Sequence, residues 1–371
     1  MVDSRIELDS WEEFVSRLGG EAELMRSAVE HGALQRLRQV RRAGDLLRLA
    51  MIYGPGGHSL RTASALAEIA DVAVLSDVAL MRRVAGSAAW LEQLCNERLG
   101  KIQAGKIQDD GLSWMASVED GRHPLRIRDA TSIAAPGKGG RHMLHLSYDP
   151  QAARLVDFVV TQAPSGESMT RLAAVAGDLV IGDRAYPRPN AMAALRETGA
   201  ELLLRLTWSS LRLATPSGEV IDWTEILAKA QHSVIDMPVH VLSKQRGFVA
   251  LPMRLVMLPK PPAAAEETRK KARRASAKKQ SKNHDPRTQA AAGCLILLTS
   301  LPPKQASPER LKELYAVRWQ IELAFKRLKS ILDFGKLPAK NPELARAWLF
   351  AHLLLALLID DIRSTADAIP P

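Results

Sequence analysis

The chain has 371 residues, 46% hydrophobic and 25% charged, with 51 Lys plus Arg against 41 Asp plus Glu, a net charge of +10 and a pI near 9.7. That length exceeds one ordinary domain and allows a sizeable core, while the basic balance favours a polyanionic partner such as nucleic acid. Two distant cysteines, Cys95 and Cys294, exclude a zinc ribbon or disulfide framework and suit a reducing compartment.

The N-terminal stretch "MVDSRIELDSWEEF" carries acidic residues and no continuous apolar run, so neither a secretory nor a transit signal is visible and a cytoplasmic protein is expected. Residues 1–118 are rich in Ala, Leu, Glu and Arg at helical spacing and are expected to form a helical DNA-binding domain. Within them, Ser59 can cap one helix and Ser76 or Asp77 a second, as in a helix-turn-helix, with Arg82 and Arg83 on the second helix. A plain helical hairpin with a basic surface fits the same pattern.

From Leu125 the texture becomes that of short strands bounded by Gly, Pro and Asp: "LRIRDATSI", "MLHLSYD", "RLVDFVVTQ" and "DLVIGD". A helix is expected around "ESMTRLAAVAG" (167–177), another over "AMAALRETGA" (191–200) and a strand at "ELLLRL" (201–206). The expected layer over 119–207 is therefore α/β, with a mixed sheet flanked by helices. His142 and His145 stand three apart on a strand, on opposite faces, and make no metal pair; "PGKGG" (136–140) lacks a phosphate-cradling pattern and reads as a turn.

Residues 208–305 read as a β-rich insertion containing "HVLSKQRG", "LPMRLVMLP" and "GCLILLTSLP". Between the last two, residues 262–290 lose apolar periodicity and are expected to be a disordered basic loop. It carries Arg269, Lys270, Lys271, Arg273, Arg274, Lys278, Lys279, Lys282 and Arg287, suited to a solvated segment that also meets phosphates nonspecifically. Residues 306–371 close the chain with helices. The longest apolar run, Trp348 to Ile359, contains His352 and falls short of the roughly 20 residues that span a bilayer, so it reads as a buried helix.

In "YAVRWQIELAFKRLKSI" (315–331), helical spacing puts Val317, Ile321, Ala324, Leu328 and Leu332 on a buried stripe. Tyr315, Arg318, Glu322 and Lys329 form a charged row beside it, within roughly 60°. Asp129 and Asp183 each stand at a strand end where the sheet opens, positions that also suit turn formers. If Glu322 meets the two aspartates, three carboxylates make an oxygen-rich pocket fit for hard divalent cations.

The spacing Tyr315, two residues, Arg318, three residues, Glu322, six residues, Lys329 resembles the signature of DDE transposases of the insertion-sequence-four family. By chance it would arise in only about two or three sequences per thousand of this length. "RIRDATSI" and "LVIGDRAY" supply the two family aspartates in order. The resemblance covers about residues 40–360 and implies a ribonuclease-H-like core in which Asp129, Asp183 and Glu322 are the catalytic, metal-binding triad, holding two Mg²⁺ or Mn²⁺ ions. It implies phosphate contacts from Tyr315, Arg318, Lys329 and Arg184, for which ion pairing is the plainer alternative. It also implies a flipped base stacked on Trp208 or Trp223, either of which could instead be core.

The expected function is cut-and-paste transposition: phosphodiester hydrolysis and strand transfer at the inverted-repeat ends of a mobile element, by a homodimer on double-stranded DNA. An inactive or C-terminally truncated DNA-binding copy, or a repair nuclease of the same core, are the rivals.

Overall fold

The computed structural model describes residues 4–367 except 36, 105–116, 119–120, 138–140, 163–165, 279–284 and 332–336. Six helices open the chain: α1 (Ser4–Arg17), α2 (Gly20–Glu30), α3 (Ala43–Tyr53), α4 (Leu60–Ile69), α5 (Asp77–Gly86) and α6 (Ala88–Ala104). The two expected caps form, Ser59 accepting from the Thr62 N–H and Ser76 from the Ala79 N–H, each worth about 1 kcal/mol to its helix. Arg82 and Arg83 lie on α5.

The strands follow: the small pair β1 (Ser117–Val118) and β2 (Gly121–Arg122), then β3 (Leu125–Ala134), β4 (Arg141–Asp149), β5 (Arg154–Gln162) and β6 (Leu179–Gly182). Beyond them come α7 (Pro189–Glu197), β7 (Glu201–Arg205), β8 (Arg212–Ala214), α8 (Trp223–Lys229), β9 (Ile235–Leu242) and β10 (Leu251–Pro259). The chain continues as α9 (Pro262–Lys278), α10 (Pro286–Ala292), β11 (Cys294–Thr299), α11 (Pro308–Ala316), α12 (Trp319–Ile331) and α13 (Pro342–Asp367).

Nine strands make one sheet in the order β5-β4-β3-β6-β7-β11-β10-β9-β8. β3, β6 and β7 run parallel to their neighbours in that trio, and every other pairing is antiparallel. The half β5-β4-β3-β6-β7 is the mixed, ribonuclease-H-like layer expected for 119–207. The strands of 208–305 extend that same sheet, because β11 pairs with β7.

Side chains alternate across the sheet, so the two faces have different cores. On one face Leu125, Ile127, Leu179, Ile181 and Leu203 join the helices of the N-terminal unit and α13; on the other Val180, Leu202 and Leu204 pack with residues of α7 and α8. α13 is apolar and long enough over Pro342–Ile362 to cross a membrane, yet 67% of its most apolar window is buried inside the fold, against α3, α5 and α6. It is a core helix, as expected from its sequence. Its His352 is 1% exposed and bonds through Nδ1 to the Trp348 carbonyl at 2.7 Å.

Three segments depart from the sequence-based expectation. The helix expected over 167–177 is only a single 3₁₀ turn, Met169–Arg171. An α-helix would use the Met169 carbonyl on the Ala173 N–H; instead the Arg128 guanidinium donates to the carbonyls of Met169 and Ala173, and the Ala173 N–H goes to Asp157 Oδ2 at 3.0 Å.

Over its described residues, the disordered loop expected for 262–290 is instead two helices, α9 and α10. Four alanines in its first eleven residues favour helix, and ion pairs Lys271–Glu267 (2.6 Å) and Arg273–Glu266 (3.8 Å) lie along it. Buried Ala265 and a Lys260 Nζ bond to the Ala292 carbonyl (2.9 Å) anchor the pair, a tertiary tie that local composition does not announce. Lys279 and Lys282 lie outside the described residues.

The third departure is in 315–331, which is not one helix. α11 ends at Ala316 and α12 begins at Trp319, with three-residue bonds Arg318 N–H to Tyr315 O (3.1 Å) and Gln320 N–H to Val317 O (3.0 Å) at the break. Val317, Ile321 and Leu328 are buried as the stripe required, while Leu332 lies outside the described residues.

Candidate active site

Asp129 and Asp183 come together through strand register. β3 and β6 pair in parallel with Arg128 opposite Gly182, so Asp129, the next residue of β3, stands level with Asp183, the first residue past β6. Neighbouring strands lie about 4.8 Å apart. Asp129 shares the parity of Ile127, and so faces the layer that holds α12. Each uses one oxygen on local backbone: Asp129 Oδ1 accepts from Ala130 N–H (2.8 Å) and Asp183 Oδ1 from Ala185 N–H (2.9 Å).

Glu322 is brought in by the break between α11 and α12, which sets it in the first turn of α12 against β3. Arg318, inside the break, joins the acids: its Nη1 lies 3.4 Å from Asp129 Oδ2 and its Nη2 bonds to Glu322 Oε1. Burial, with the charges of Asp183 and Glu322, pushes the Asp129 carboxyl up to about 6, against the pull of the Ala130 N–H and Arg318. Among the described residues no three His, Cys, Asp or Glu side chains converge tightly enough to cage an ion. Glu322 is turned to Arg318, which supplies the countercharge. The donor set nevertheless fits a hard divalent cation: all-oxygen, anionic and mutually repelling.

The remaining signature residues spread from this point. Lys329 and Glu322, with Ala130, Thr131, Phe325 and Lys326, line an open cleft of about 430 Å³ between β3 and α12. Tyr315 belongs to α11, is 7% exposed and faces Arg318 and Arg205; burial pushes its hydroxyl up. The single charged row expected for 315–329 is thus a two-helix arrangement, with Tyr315 on α11 and Glu322 and Lys329 on α12.

Arg184 follows Asp183 in a turn and lines a cavity of about 100 Å³ with Arg205, Thr207, Trp208, Thr288 and Cys294. Burial first, then Arg205 and Arg184, pushes nearby Lys260 down to about 8, the mark of a crowded cationic neighbourhood. Trp208 forms its wall, donating from Nε1 to Thr288 Oγ1 at 3.2 Å, with the Arg287 guanidinium 4.2 Å over its ring. Trp223 does not reach this surface: at 9% exposed it begins α8 inside the core under the insertion strands, which corrects its candidacy.

Lys270, Lys271, Arg273 and Arg274 are exposed along α9; Arg82 is exposed and Arg83 half-buried on α5. None of these six is among the side chains packed around the aspartates.

Sequence reading missed Arg205 and Lys326. Arg205 was recoverable from strand register, since Gly182 pairs Leu204 and the next residue stands level with Asp183.

Residues 120–359 match the family described as "Transposase DDE domain". The chain is 37% identical, over 368 residues, to the putative transposase InsL for insertion sequence element IS186A of Escherichia coli (strain K12), covering 98% of this chain and 96% of that relative; the IS186B transposase gives the same figures. It is also 37% identical over 369 residues, with the same coverage, to the transposase for insertion sequence element IS421 of Escherichia coli.

Proposed function

Because the chain belongs to the transposase DDE-domain family, we propose that Asp129, Asp183 and Glu322 are the carboxylates on which its DNA chemistry depends. The enzyme is a DNA transposase, a nuclease and strand transferase, and its family works with divalent metal ions. The observation that carries the assignment is the register of β3 and β6, which sets two aspartates side by side beneath the α12 residue that completes the family signature.

Asp129 and Asp183, each held by a backbone N–H, would present their free oxygens to two Mg²⁺ or Mn²⁺ ions, and Glu322 would swing from Arg318 to join them. When bound, such ions supply Lewis-acid stabilisation of the attacking and leaving oxygens of a phosphodiester. Arg318, released from the acids, is then placed to hold a phosphate. Lys329 and Lys326 line the cleft along which a strand would lie, and Tyr315 stiffens the α11–α12 break that sets Arg318. Trp208, with Arg184 and Arg205 beside it, offers a cationic aromatic wall for an unstacked base.

The substrate is proposed to be the element's own terminal inverted repeats, then target DNA, engaged by a homodimer. α9 and the α4–α5 hairpin would add phosphate contacts, and the compartment would be the cytoplasm, at the nucleoid. The test is cleavage of a fragment ending in the element's repeats. Nicking at the repeat boundary with Mg²⁺, and transfer of that end into a second DNA, supports the reading; cutting without regard to the repeat supports a repair nuclease instead.

A further inference from the structure

We propose that Arg287 and an unstacked base compete for the same face of Trp208, which makes Arg287 a specificity-determining residue for the DNA end; this rests on the base-stacking role of Trp208 proposed above and adds the group that the base displaces. Trp208 follows β7 and packs against the core beneath the insertion strands. Two consecutive residues at the start of α10 hold its indole. Thr288 Oγ1 accepts from Nε1 at 3.2 Å, at the ring's edge, and the Arg287 guanidinium carbon lies 4.2 Å from the ring centroid. Arg287 is partly exposed and outside that core, so it covers the ring from the solvent side. At that distance guanidinium and ring are in van der Waals contact, with no room for a base between them. A base taking this face has to move Arg287 aside.

The guanidinium is itself held. Arg287 Nε donates to the Asp285 oxygens at 3.0 and 3.1 Å and Nη2 donates at 2.6 Å, a charge-assisted fork that fixes its orientation. Asp285 Oδ1 also caps α10 by accepting the Arg287 N–H at 2.9 Å. The seating of α10 does not depend on the Arg287 side chain, because Gln231 Nε2 donates to the Ala290 carbonyl at 3.0 Å and Lys260 Nζ to the Ala292 carbonyl at 2.9 Å. Truncating Arg287 therefore bares the ring and leaves the helix in place.

The chemistry suits an exchange. A guanidinium is planar and weakly hydrated and stacks on an aromatic face much as a base does. A base–aromatic stack outweighs an exposed cation–π contact, so a free base takes the ring, and its affinity is lower by the hold that Arg287 had there. A base that stays paired leaves Arg287 where it is. The cavity that Trp208 walls is lined by Arg184, Arg205, Thr207, Thr268 and Thr288, with no carboxylate among the described residues around it, so a phosphate carried in with the base meets donors.

The test uses the full chain in Ca²⁺ and a repeat-end duplex carrying either one unpaired 2-aminopurine or an abasic site at the same position. The readout is the ratio of the two affinities, in which phosphate contacts common to both probes cancel. Wild type should prefer the unpaired base, and Arg287→Ala should raise that preference about two- to fivefold, the hold of an exposed cation–π contact. Arg287→Gln should raise it as well. Trp208→Ala should abolish the preference, and adding Arg287→Ala to that variant should bring none of it back. An unchanged ratio in Arg287→Ala, with both affinities reduced together, makes Arg287 a phosphate contact and overturns the proposal while leaving Trp208 as the platform. A lowered ratio, the mark of a base held between Trp208 and Arg287, overturns it too. A preference absent from wild type and Arg287→Ala alike, or one that survives Trp208→Ala, overturns the stacking role and this inference together.

Discussion

Arg318 and Asp129 are 189 residues apart in the chain and meet at 3.4 Å, Nη1 to Oδ2, while the same guanidinium holds Glu322. This arginine supplies the countercharge to both acids. Arg318→Ala should therefore act twice. Removing the countercharge leaves a buried carboxylate unpaired and should lower metal-free stability by about 1–3 kcal/mol, read from denaturant melts. Losing the proposed phosphate contact should slow end cleavage about a hundredfold at saturating Mg²⁺. Arg318→Lys, a point charge without the fork, should restore most of the stability and little of the rate.

Asp129→Asn and Asp183→Asn should each reduce end cleavage by about a thousandfold or more, the several kcal/mol expected when charge stabilisation at a phosphodiester is lost. DNA affinity, measured by gel shift in Ca²⁺, should stay within a few-fold of wild type. A parallel fall in binding and cleavage would assign the aspartates to substrate binding instead.

The raised Asp129 carboxyl predicts a pH dependence of metal-free stability. The folded protein holds that proton up to about pH 6, whereas an unfolded Asp releases it near 4, so between these values the native state binds more protons. Stability from this group is present at the acid end of the window and is lost as pH rises through about 6, by on the order of 2–3 kcal/mol. The difference in unfolding free energy between wild type and Asp129→Asn, measured from pH 4 to 7.5, should shift in favour of the variant across that range. A constant difference would mean that Asp129 is not desolvated as described.

Trp208→Ala should weaken binding of a repeat end carrying an unpaired terminal base by about five- to a hundredfold, the range of one base–aromatic stack, and Trp208→Phe should retain part of it. A 2-aminopurine at the unpaired position reports this directly. Its fluorescence should be quenched by wild type and not by Trp208→Ala.

Replacing Lys270, Lys271, Arg273 and Arg274 by Gln should flatten the dependence of log affinity on log salt by about two to four. The lower figure applies because Lys271 and Arg273 already pair with Glu267 and Glu266. An unchanged slope would remove α9 from the DNA path.

Local patterns were more legible than the architecture that joins them. The strand-end aspartates and the 315–329 spacing are local patterns, and their proposed role came from resemblance to a family signature, since a strand-end Asp alone suits a turn former equally. The caps at Ser59 and Ser76 were legible because they too are local. What was not legible depends on distant partners. Arg128, 41 and 45 residues away, takes the carbonyls that a helix at 167–177 would need. The charged α9 looked unable to fold because its stabilising contacts, Lys260 to Ala292 and Arg269 to Gln289 (3.4 Å), cross from neighbouring elements. The break at Val317–Arg318 carries no Gly or Pro, and a helical wheel cannot foresee it.

The central claim is that Asp129, Asp183 and Glu322 share divalent ions, and anomalous diffraction from the protein crystallised with Mn²⁺ and a repeat-end DNA tests it most directly. The account predicts Mn²⁺ peaks within about 2.0–2.6 Å of oxygens from all three side chains, with Arg318 moved onto a phosphate. Peaks that touch Glu322 but neither aspartate, or an Arg318 still bridging Asp129 and Glu322 beside the bound DNA end, would contradict it.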